Sequence, residues 1–498
     1  MVSELSKLEQ WFPKWGLKRQ RARNVLAHSK RLYDAAKYGP FNGAPVGGNL
    51  SGDSVMGATG GKLRASARIL DENHDLAVGV LNVLVDNIVG DGIQIEPMMR
   101  TGTRQPELAT RVNEDVRRLW ARWWSDAEVT REYPGSQVER LACLSWLRDG
   151  EVLIRHWQGS GGPAPVSPIP YSVQLLEADY LPFTEFDTGA STQGVEKDSF
   201  GRPIAYHLYL VHPGDTGRGL FAPNLDTVRV PADQMTHLKN TRRIRQTRGV
   251  PILHAVINRL EGIKDAEQSE LIAARVAADF CAVITRDAEF QFDTGDIAQD
   301  GSRQFGMESG TVFDKLLPGE SVETIDSKRP NNALMDFRDS QLRAVASGTS
   351  TSYSSISKNY SGTYSSQRQE LVETQPGYLR LSQIFVDVMM RDIYRRFIDM
   401  AMVSGQLVIP AGVNRSTLYA AEMVRGGGVP WIDPLKEVQA DVAAIDAGLQ
   451  SRPGVIRKRG GDPAQVTAEL EADEFESPQA EAAAATQPPQ DEADEDAA

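Results

Sequence analysis

The longest regular pattern of apolar and polar positions lies in residues 249–287. Apolar residues such as Ile257, Leu260 and Ile263 recur there at spacings of three and four, which is the period of an α-helix. Pro251 stands where the first turn of a helix tolerates a missing N–H. The pattern predicts one helix of about 34 residues, roughly 50 Å long. Its alanine-rich second half would let another helix approach closely, although a long core helix of a large domain has the same pattern.

The chain before this helix divides into a helical part and a β-rich part. Helical spacing predicts helices over residues 17–37, 62–89, 111–127 and 137–149, and residues 41–61 are predicted to form a loop. Trp120, Trp123 and Trp124, at positions i, i+3 and i+4, are predicted to lie in the core. Apolar–polar alternation predicts strands in residues 151–157, 171–177, 192–211, 227–231 and 235–238.

After the long helix the chain changes period twice. Residues 311–317 and 321–325 have strand-like composition around the turn Pro318-Gly319, and helical spacing returns in residues 332–345. A small β module would therefore lie at one end of a stalk made by two helices. A further long helix is predicted over residues 369–404.

Composition excludes several classes of protein. With 498 residues, of which 41% are hydrophobic, the chain is large enough for two to four domains. Cys143 and Cys281 are its two cysteines, so neither a disulfide scaffold nor a cysteine-rich metal site is available. The N-terminus lacks the apolar core of a signal peptide, and the most apolar stretch is too short for a membrane span. We expect a soluble, intracellular protein with no membrane partner.

The net charge of −13 is unevenly distributed. Residues 466–498 contain eleven acidic and no basic residues, so the rest of the chain carries a net charge of about −2. The first forty residues are basic, with nine Lys or Arg residues against three acidic ones. The acidic tail is predicted to be disordered, because it cannot bury enough apolar surface. The near-neutral body is not that of a high-affinity nucleic-acid binder.

Motifs of enzymes are missing or defective. Residues 57–63 read GATGGKL, but a phosphate-binding loop needs Gly where Met56 stands and Ser or Thr where Leu63 stands. None of the seven histidines belongs to a zinc-protease motif, and GxSxG does not occur. We interpret Glu151, His156 and Asp198 as structural, and expect no catalytic residue, metal or cofactor. A hydrolase, and a scaffold or adaptor protein that only binds partners, are the two classes of function that stay open as alternatives.

Residues 239–248 form a basic segment with five positive charges. Three interpretations of this segment stay open: binding of phosphates, pairing with acidic groups of a neighbouring subunit, and a flexible charged turn. The candidate contact residues are Arg242, Arg243, Arg245 and Arg248.

Residues 348–368, GTSTSYSSISKNYSGTYSSQR, are the most unusual in composition. They are rich in Ser, Thr and Tyr and contain no acidic residue, and their charged residues are Lys358 and Arg368. We expect a loop of this polarity, with a disordered linker as the alternative. Hydroxyl groups offer many weak, exchangeable hydrogen bonds, which suits a polyanion that must slide past them.

The order of these features resembles that of the portal proteins of tailed bacteriophages, in particular the lambda-type family. Matching segments extend over roughly residues 20–465. They include ARNVLAHSKRLYDAA, NVLVDNIVGDGIQIEP, VQLLEADYLP, GVEKDSFGRPIAYHLYLVHP, VPADQMTHL, RGVPILHAVINRLEGIKDAEQSELIAARVAADF, LLPGESVE, SYSSISKNYSGTYSSQR and WIDPLKEVQADVAAIDAGLQS. Residues 346–350 depart from the family pattern, because they are more polar than expected where the second stem helix ends.

The resemblance implies an α+β, mainly helical portal fold with a β-rich insert, of which about twelve copies form a ring around a central channel. The implied regions are the basic N-terminal helix and loop (1–61), wing (62–248), first stem helix (249–287), clip (288–330), second stem helix (331–347), tunnel loop (348–368), wing and crown helices (369–465) and acidic tail (466–498). The residues implied to face the channel are Ser354, Ser357, Lys358, Asn359, Tyr360 and Tyr364.

The resemblance also implies partners and a location. Double-stranded DNA would pass through the channel, driven in by the large subunit of the terminase docked at the clip and released after the tail attaches. The major capsid protein, the scaffold and a head–tail adaptor protein would surround the ring. The protein would lie at the portal vertex of the virion, and in the host cytoplasm during assembly.

Overall fold

The computed structural model describes residues 50–99, 106–159, 167–183, 191–215, 226–278, 282–286, 320–324, 333–410, 413–426 and 434–472. The predicted helix over residues 17–37, the predicted strand 311–317, most of the predicted clip and residues 473–498 lie outside these ranges.

The α+β class predicted from the sequence is confirmed. The helices are α1 (Gly52–Asn73), α2 (Asp75–Ile88), α3 (Pro106–Trp124), α4 (Gly135–Asp149), α5 (Ile257–Ala278), α6 (Ala333–Thr349), α7 (Tyr353–Ser357), α8 (Tyr364–Phe385), α9 (Arg391–Val403), α10 (Pro434–Asp446), α11 (Arg452–Lys458) and α12 (Pro463–Ala472). The strands are β1 (Ile93–Pro97), β2 (Glu151–Gln158), β3 (Tyr171–Leu176), β4 (Ser191–Thr192), β5 (Val195–Lys197), β6 (Pro203–Tyr209), β7 (Thr227–Pro231), β8 (Met235–Lys239), β9 (Ala282–Arg286), β10 (Glu320–Thr324) and β11 (Ala421–Arg425).

The strands form small antiparallel sheets. The β-rich insert holds a three-stranded sheet in the order β3-β2-β8 and a four-stranded sheet in the order β4-β5-β6-β7. Strand β1 pairs with β11, more than 300 residues later in the chain, and β9 pairs with β10. The pairing of β1 with β11 ties the C-terminal part of the described chain to its N-terminal helices.

The core follows the helical pattern of the sequence. Trp120, Trp123 and Trp124 are buried as predicted, and Trp120 and Trp123 each pack against Phe397 of α9 at ring-centroid distances of 5.1 and 5.0 Å. Helix α4 ends at Gly150, whose φ of +88° is a left-handed conformation that favours glycine.

Two predicted boundaries, that of the first loop and that of the acidic tail, are wrong. The loop predicted over 41–61 is helical from Gly52 onward, because Ser51 caps α1 by accepting a hydrogen bond from the Ser54 amide. The glycines of the GATGGKL segment are therefore helical, and Gly60 lies where a Cβ would come within 2.6 Å of the Phe183 ring. Helix α12 also includes residues 466–472, although composition predicts that they belong to the disordered tail.

The predicted 34-residue helix is shorter in the structure. Pro251 precedes a 3₁₀ turn, Ile252–Ala255, and the α-helix begins only at Ile257. The end of the predicted helix, Ala282–Arg286, is strand β9. Residues 282–285 do not show the apolar–polar alternation of a half-buried strand. They include the β-branched residues Val283, Ile284 and Thr285, which favour strands.

Helices α5 and α6 pack against each other, as the predicted stalk requires. Arg338 of α6 forms an ion pair with Glu267 of α5 at 2.8 Å, and Arg259 donates to Gln341. These contacts place the two helices antiparallel, with the β9–β10 pair between them in the chain. Among the described helices, none has both the length and the apolarity that crossing a bilayer requires.

Candidate nucleic-acid interface

The sequence predicts one loop over the polar segment 348–368, and this prediction is wrong. The segment contains the end of α6, the helix α7 and the start of α8. Helix α6 continues to Thr349, whose hydroxyl donates to the Val345 carbonyl at 2.9 Å and contacts the Thr351 hydroxyl at 2.8 Å. Thr349, Thr351 and Ser352 are all buried. Because their hydroxyl groups find partners within the chain, the first part of the segment is an ordered connection between helices.

The short helix α7 occupies the middle of the segment. Ser352 caps it by accepting a hydrogen bond from the Ser355 amide, and Ile356 anchors it in the core. The helix ends at Lys358, which has the left-handed conformation φ +55°, ψ +22°. Such a conformation is uncommon for a residue other than glycine, so the chain turns sharply at the one lysine of the segment.

Residues 358–363 are the part of the segment that is exposed throughout. The Asn359 side chain accepts from the Ser361 amide at 3.1 Å, and the Gln367 amide group donates to the carbonyls of Tyr360 and Gly362 at 2.6 and 3.3 Å. These hydrogen bonds give the exposed turn a defined shape and leave the Lys358 and Tyr360 side chains exposed to solvent.

Two hydrogen bonds join this segment to α8. The carboxylate of Glu370 accepts from the Ser354 amide at 3.0 Å, and the Tyr378 hydroxyl accepts from the Ser352 amide at 3.1 Å. The Glu370 carboxylate of α8 is thereby directed toward the first turn of α7. A cavity of about 290 Å³ lies behind the turn, lined by residues including Asp339, Arg343 and Tyr353.

The predicted channel residues divide by exposure. Ser354 and Ser357 are half-buried, whereas Lys358, Asn359 and Tyr360 are exposed. Tyr364 is the first residue of α8, and its side chain lies outside the described part of the structure. The exposed turn thus offers hydroxyl and amide groups and one ammonium group, with no carboxylate among residues 358–363. Groups of this kind can contact phosphate and sugar oxygens without reading a base sequence.

Two residues that hold the turn at 358–363, Gln367 and Glu370, were not predicted from the sequence to have this role. Gln367 and Glu370 were assigned to the end of the loop and to the following helix, although they hold the turn. The available signal was Thr363, which caps α8 by accepting from the Ser366 amide. A threonine cap at that position predicts that the helix starts at Tyr364, five residues before the predicted start at Gln369.

The basic segment 239–248 separates into a buried and an exposed part. Arg248, predicted as a possible phosphate or intersubunit contact, is fully buried, so that prediction is wrong for this residue. Its Nε donates to the Glu151 carboxylate at 2.7 Å, and its other nitrogens donate to the carbonyls of Ala178 and Leu181. Arg242, Arg243 and Arg245 are exposed, as a contact with phosphate or with a neighbouring subunit requires.

A buried ionic cluster surrounds Glu151. Arg64 and His237 also contact this carboxylate, at 2.8 and 2.9 Å, and the Gly249 amide donates to it. Burial opposes ionisation of Glu151, but the charges of Arg248 and Arg64 and the hydrogen bond with His237 outweigh it and hold its pKa well below the ordinary value. The cluster joins α1, β2, β8 and the segment leading to α5, which is a structural role.

A second buried set has the residue types of a catalytic site. His156 lies between the Tyr171 hydroxyl and the Thr236 hydroxyl, each at 2.8 Å, and 3.3 Å from Asp392. Thr236 donates to Asp392, so its oxygen accepts from Nε2 of His156 and Nδ1 accepts from Tyr171. Burial lowers the pKa of His156, which fits a neutral imidazole. The histidine side chain has no solvent exposure, so no substrate reaches it.

One group of described residues has the spacing of metal ligands. Atoms of Glu177, Asp179 and His212 all lie within 4.8 Å of one another. The guanidinium of Arg68, however, lies 2.5 Å from the Asp179 carboxylate and 3.3 Å from that of Glu177. Because a cation already lies between these carboxylates, the group does not fit a bound metal ion.

Comparison with known proteins identifies related chains. The profile of the family "Phage portal protein, lambda family" matches residues 44–381. The "Probable portal protein" of Halomonas phage phiHAP-1 is 26% identical over 462 residues, covering 89% of this chain and 86% of the relative. The "Portal protein" of Escherichia phage N15 is 24% identical over 478 residues, with 86% and 88% covered. "Portal protein B" of Escherichia phage lambda is 24% identical over 250 residues, with 45% and 47% covered.

Solved structures show more distant likeness. A chain of "Neck of native GTA particle computed with C12 symmetry" is similar with a TM-score of 0.42 and 11% identity, covering 78% of this chain and 90% of that chain. A chain of "Virion of native gene transfer agent (GTA) particle" has a TM-score of 0.43 and 11% identity, with 81% and 94% covered.

Proposed function

Because the chain belongs to the lambda family of phage portal proteins, structural proteins of the phage virion, we propose that about twelve copies form a closed ring at one capsid vertex. Double-stranded DNA passes through the channel of this ring during packaging and ejection. The turn at residues 358–363 faces that channel. The observation that supports this most directly is the turn itself, which is exposed, rich in hydroxyl groups and free of carboxylates.

The charge of the turn suits passage of DNA. A protein that neutralises many phosphates binds DNA tightly and with strong salt dependence. The turn presents one lysine, Lys358, so each copy makes at most a weak electrostatic contact there. Repeated around a ring, these lysines form a weakly positive collar, and the neighbouring hydroxyl and amide groups exchange hydrogen bonds with the moving backbone.

Exposed apolar side chains on the long helices support assembly. Leu271 and Ile272 on α5, Met335 on α6, and Val372 and Leu379 on α8 are all exposed in the single chain. Leu271 and Ile272 are neighbours in the chain, and exposed apolar side chains that are grouped together mark contact with another protein. A head-to-tail ring covers such faces on every copy, because each copy offers one side to each of two neighbours.

The remaining partners follow from the same premise. The large subunit of the terminase docks at the clip and drives DNA inward, and a head–tail adaptor later binds the ring. The major capsid protein and the scaffold surround it during assembly in the host cytoplasm. The protein has no enzymatic role in this scheme, and the motor and the nuclease belong to the terminase.

Ring formation is tested by native mass spectrometry and negative-stain imaging of the purified full-length chain. We expect closed rings with a central hole, and we expect Leu271→Glu together with Ile272→Glu to prevent them. Ser269→Glu is the matched control, since it adds a charge at an exposed polar position of the same helix. The proposed assembly would be contradicted if the wild-type protein were a monomer. It would also be contradicted if the double variant formed rings to the same extent as the Ser269→Glu control.

A further inference from the structure

The two most exposed large apolar side chains of the described structure belong to two turns that a hydrogen bond joins. Ile244 is 96% exposed and Phe200 is 81% exposed. They come from segments more than forty residues apart, which meet where the Arg245 guanidinium donates to the Phe200 carbonyl at 3.0 Å. Together with Arg242 and Arg243 these residues form a surface that we name the arginine tip (Phe200, Arg242, Arg243, Ile244 and Arg245).

Hydrogen bonds hold both turns of the tip in place. The Gln246 side-chain carbonyl accepts from the amides of Arg242 and Arg243, at 3.1 and 3.2 Å. On the other turn, the Asp198 carboxylate accepts from the Phe200 amide at 3.0 Å. The two apolar side chains are therefore held outward by their own backbones.

The arginines surround the apolar pair with positive charge. Arg243 donates to the Leu50 carbonyl at 2.6 Å and Arg245 to that of Phe200, so these contacts use neutral oxygens, and within the described ranges neither guanidinium forms an ion pair with a carboxylate. Asp198, the nearby carboxylate, pairs with Arg202 at 3.5 Å. The residues that precede Leu50 are basic as well, so the N-terminal segment does not complement the tip.

We propose that the arginine tip is a docking surface for an acidic protein segment that carries an aromatic or large aliphatic side chain. That side chain packs between Phe200 and Ile244, and the flanking carboxylates pair with Arg242, Arg243 and Arg245. Exposed ion pairs contribute little each, so the apolar anchor provides most of the affinity and the charges select acidic partners. This docking does not depend on the proposed ring or channel.

The chain itself supplies a matched pair of probe peptides. Residues 469–480 contain five acidic residues together with Leu470 and Phe475, and residues 487–498 contain five acidic residues with no large apolar side chain. Both are twelve residues long. In fluorescence anisotropy with the full-length protein, we expect the first peptide to bind. The second should bind about tenfold more weakly, because it has no large apolar side chain to pack against Phe200 and Ile244. Added salt should weaken both.

Substitution tests the surface. Ile244→Ser should reduce binding of the 469–480 peptide to the level of the control peptide, whereas Leu449→Ser, at another exposed apolar residue, should leave it unchanged. Equal binding of both peptides, or binding that Ile244→Ser does not alter, overturns the proposal. Vesicles containing phosphatidylglycerol and a short DNA duplex serve as further probes. Binding to either that requires Ile244, without peptide binding, would make the tip a lipid or nucleic-acid surface instead.

Discussion

The Nε of Arg248 donates a hydrogen bond to Oε1 of Glu151 at 2.7 Å, and both side chains are fully buried. Glu151 is the first residue of β2, and Arg248 lies on the segment that leads into the stalk helix α5. The ion pair therefore fixes the β-rich part of the chain to the base of the stalk.

We predict that Arg248→Met destabilises the protein by about 3 kcal/mol or more, because it leaves part of a buried negative charge uncompensated. Arg245→Met, three residues earlier and exposed, should change stability by no more than about 0.5 kcal/mol. Urea denaturation monitored by tryptophan fluorescence compares the two variants. Equal midpoints would show that the buried pair contributes little to stability.

Glu139 predicts a dependence of stability on pH. Burial raises the pKa of this carboxyl to about 8, although the Ile93 amide and the Trp124 indole donate to it and favour ionisation. The unfolded chain releases this proton near pH 4.5, and the folded chain keeps it until about pH 8. The contribution to stability is therefore complete below pH 4.5 and is lost as pH rises to 8, by on the order of 5 kcal/mol.

Glu139→Gln removes this titration, so the free energy of unfolding of the variant should fall less between pH 5 and pH 8 than that of wild type. The comparison of slopes matters here, since one of the two N–H donors lacks a good acceptor in the variant and lowers its stability at every pH. Parallel slopes for the two proteins would show that Glu139 is ionised in the folded chain throughout this range.

Two glycines predict opposite effects of the same substitution. A Cβ at Gly249 would lie 1.9 Å from the Gly150 carbonyl oxygen, so Gly249→Ala should cost about 3 kcal/mol or more or prevent folding. Gly262 lies in α5 with no atom near the position of a Cβ, and Gly262→Ala should stabilise by about 0.5–1 kcal/mol. Thermal melts of the two variants beside wild type test both signs. A stable Gly249→Ala protein would contradict the close approach.

Lys358 tests the proposed channel turn. Lys358→Asn removes the charge and keeps a residue that tolerates the left-handed backbone, whereas Lys358→Arg keeps the charge. We expect both variants to fold and assemble as wild type does, within about 0.5 kcal/mol of its stability. In phage complementation, Lys358→Asn should alter DNA packaging or retention and Lys358→Arg should not. Normal packaging by the asparagine variant would leave Lys358 without a role in the channel.

The local pattern of the sequence determined much of the architecture. The helical period located α2, α3, α4 and the two stalk helices, and alternation located the strands of the β-rich insert, because backbone periodicity places apolar side chains on one face. Gly150 predicted the end of α4, since its left-handed conformation favours glycine. The composition of residues 348–368 predicted one polar loop, of which the structure keeps the exposed turn at residues 358–363.

Other features were decided by contacts between distant parts of the chain. Four arginines of one basic segment look alike in sequence, yet Arg248 is buried because Glu151, nearly one hundred residues earlier, compensates its charge. His156 meets Asp392 and Phe200 meets the Arg245 segment only after the chain folds. Burial and pairing depend on which groups the tertiary structure brings together, and a local pattern holds no information about a partner that is far away in the sequence.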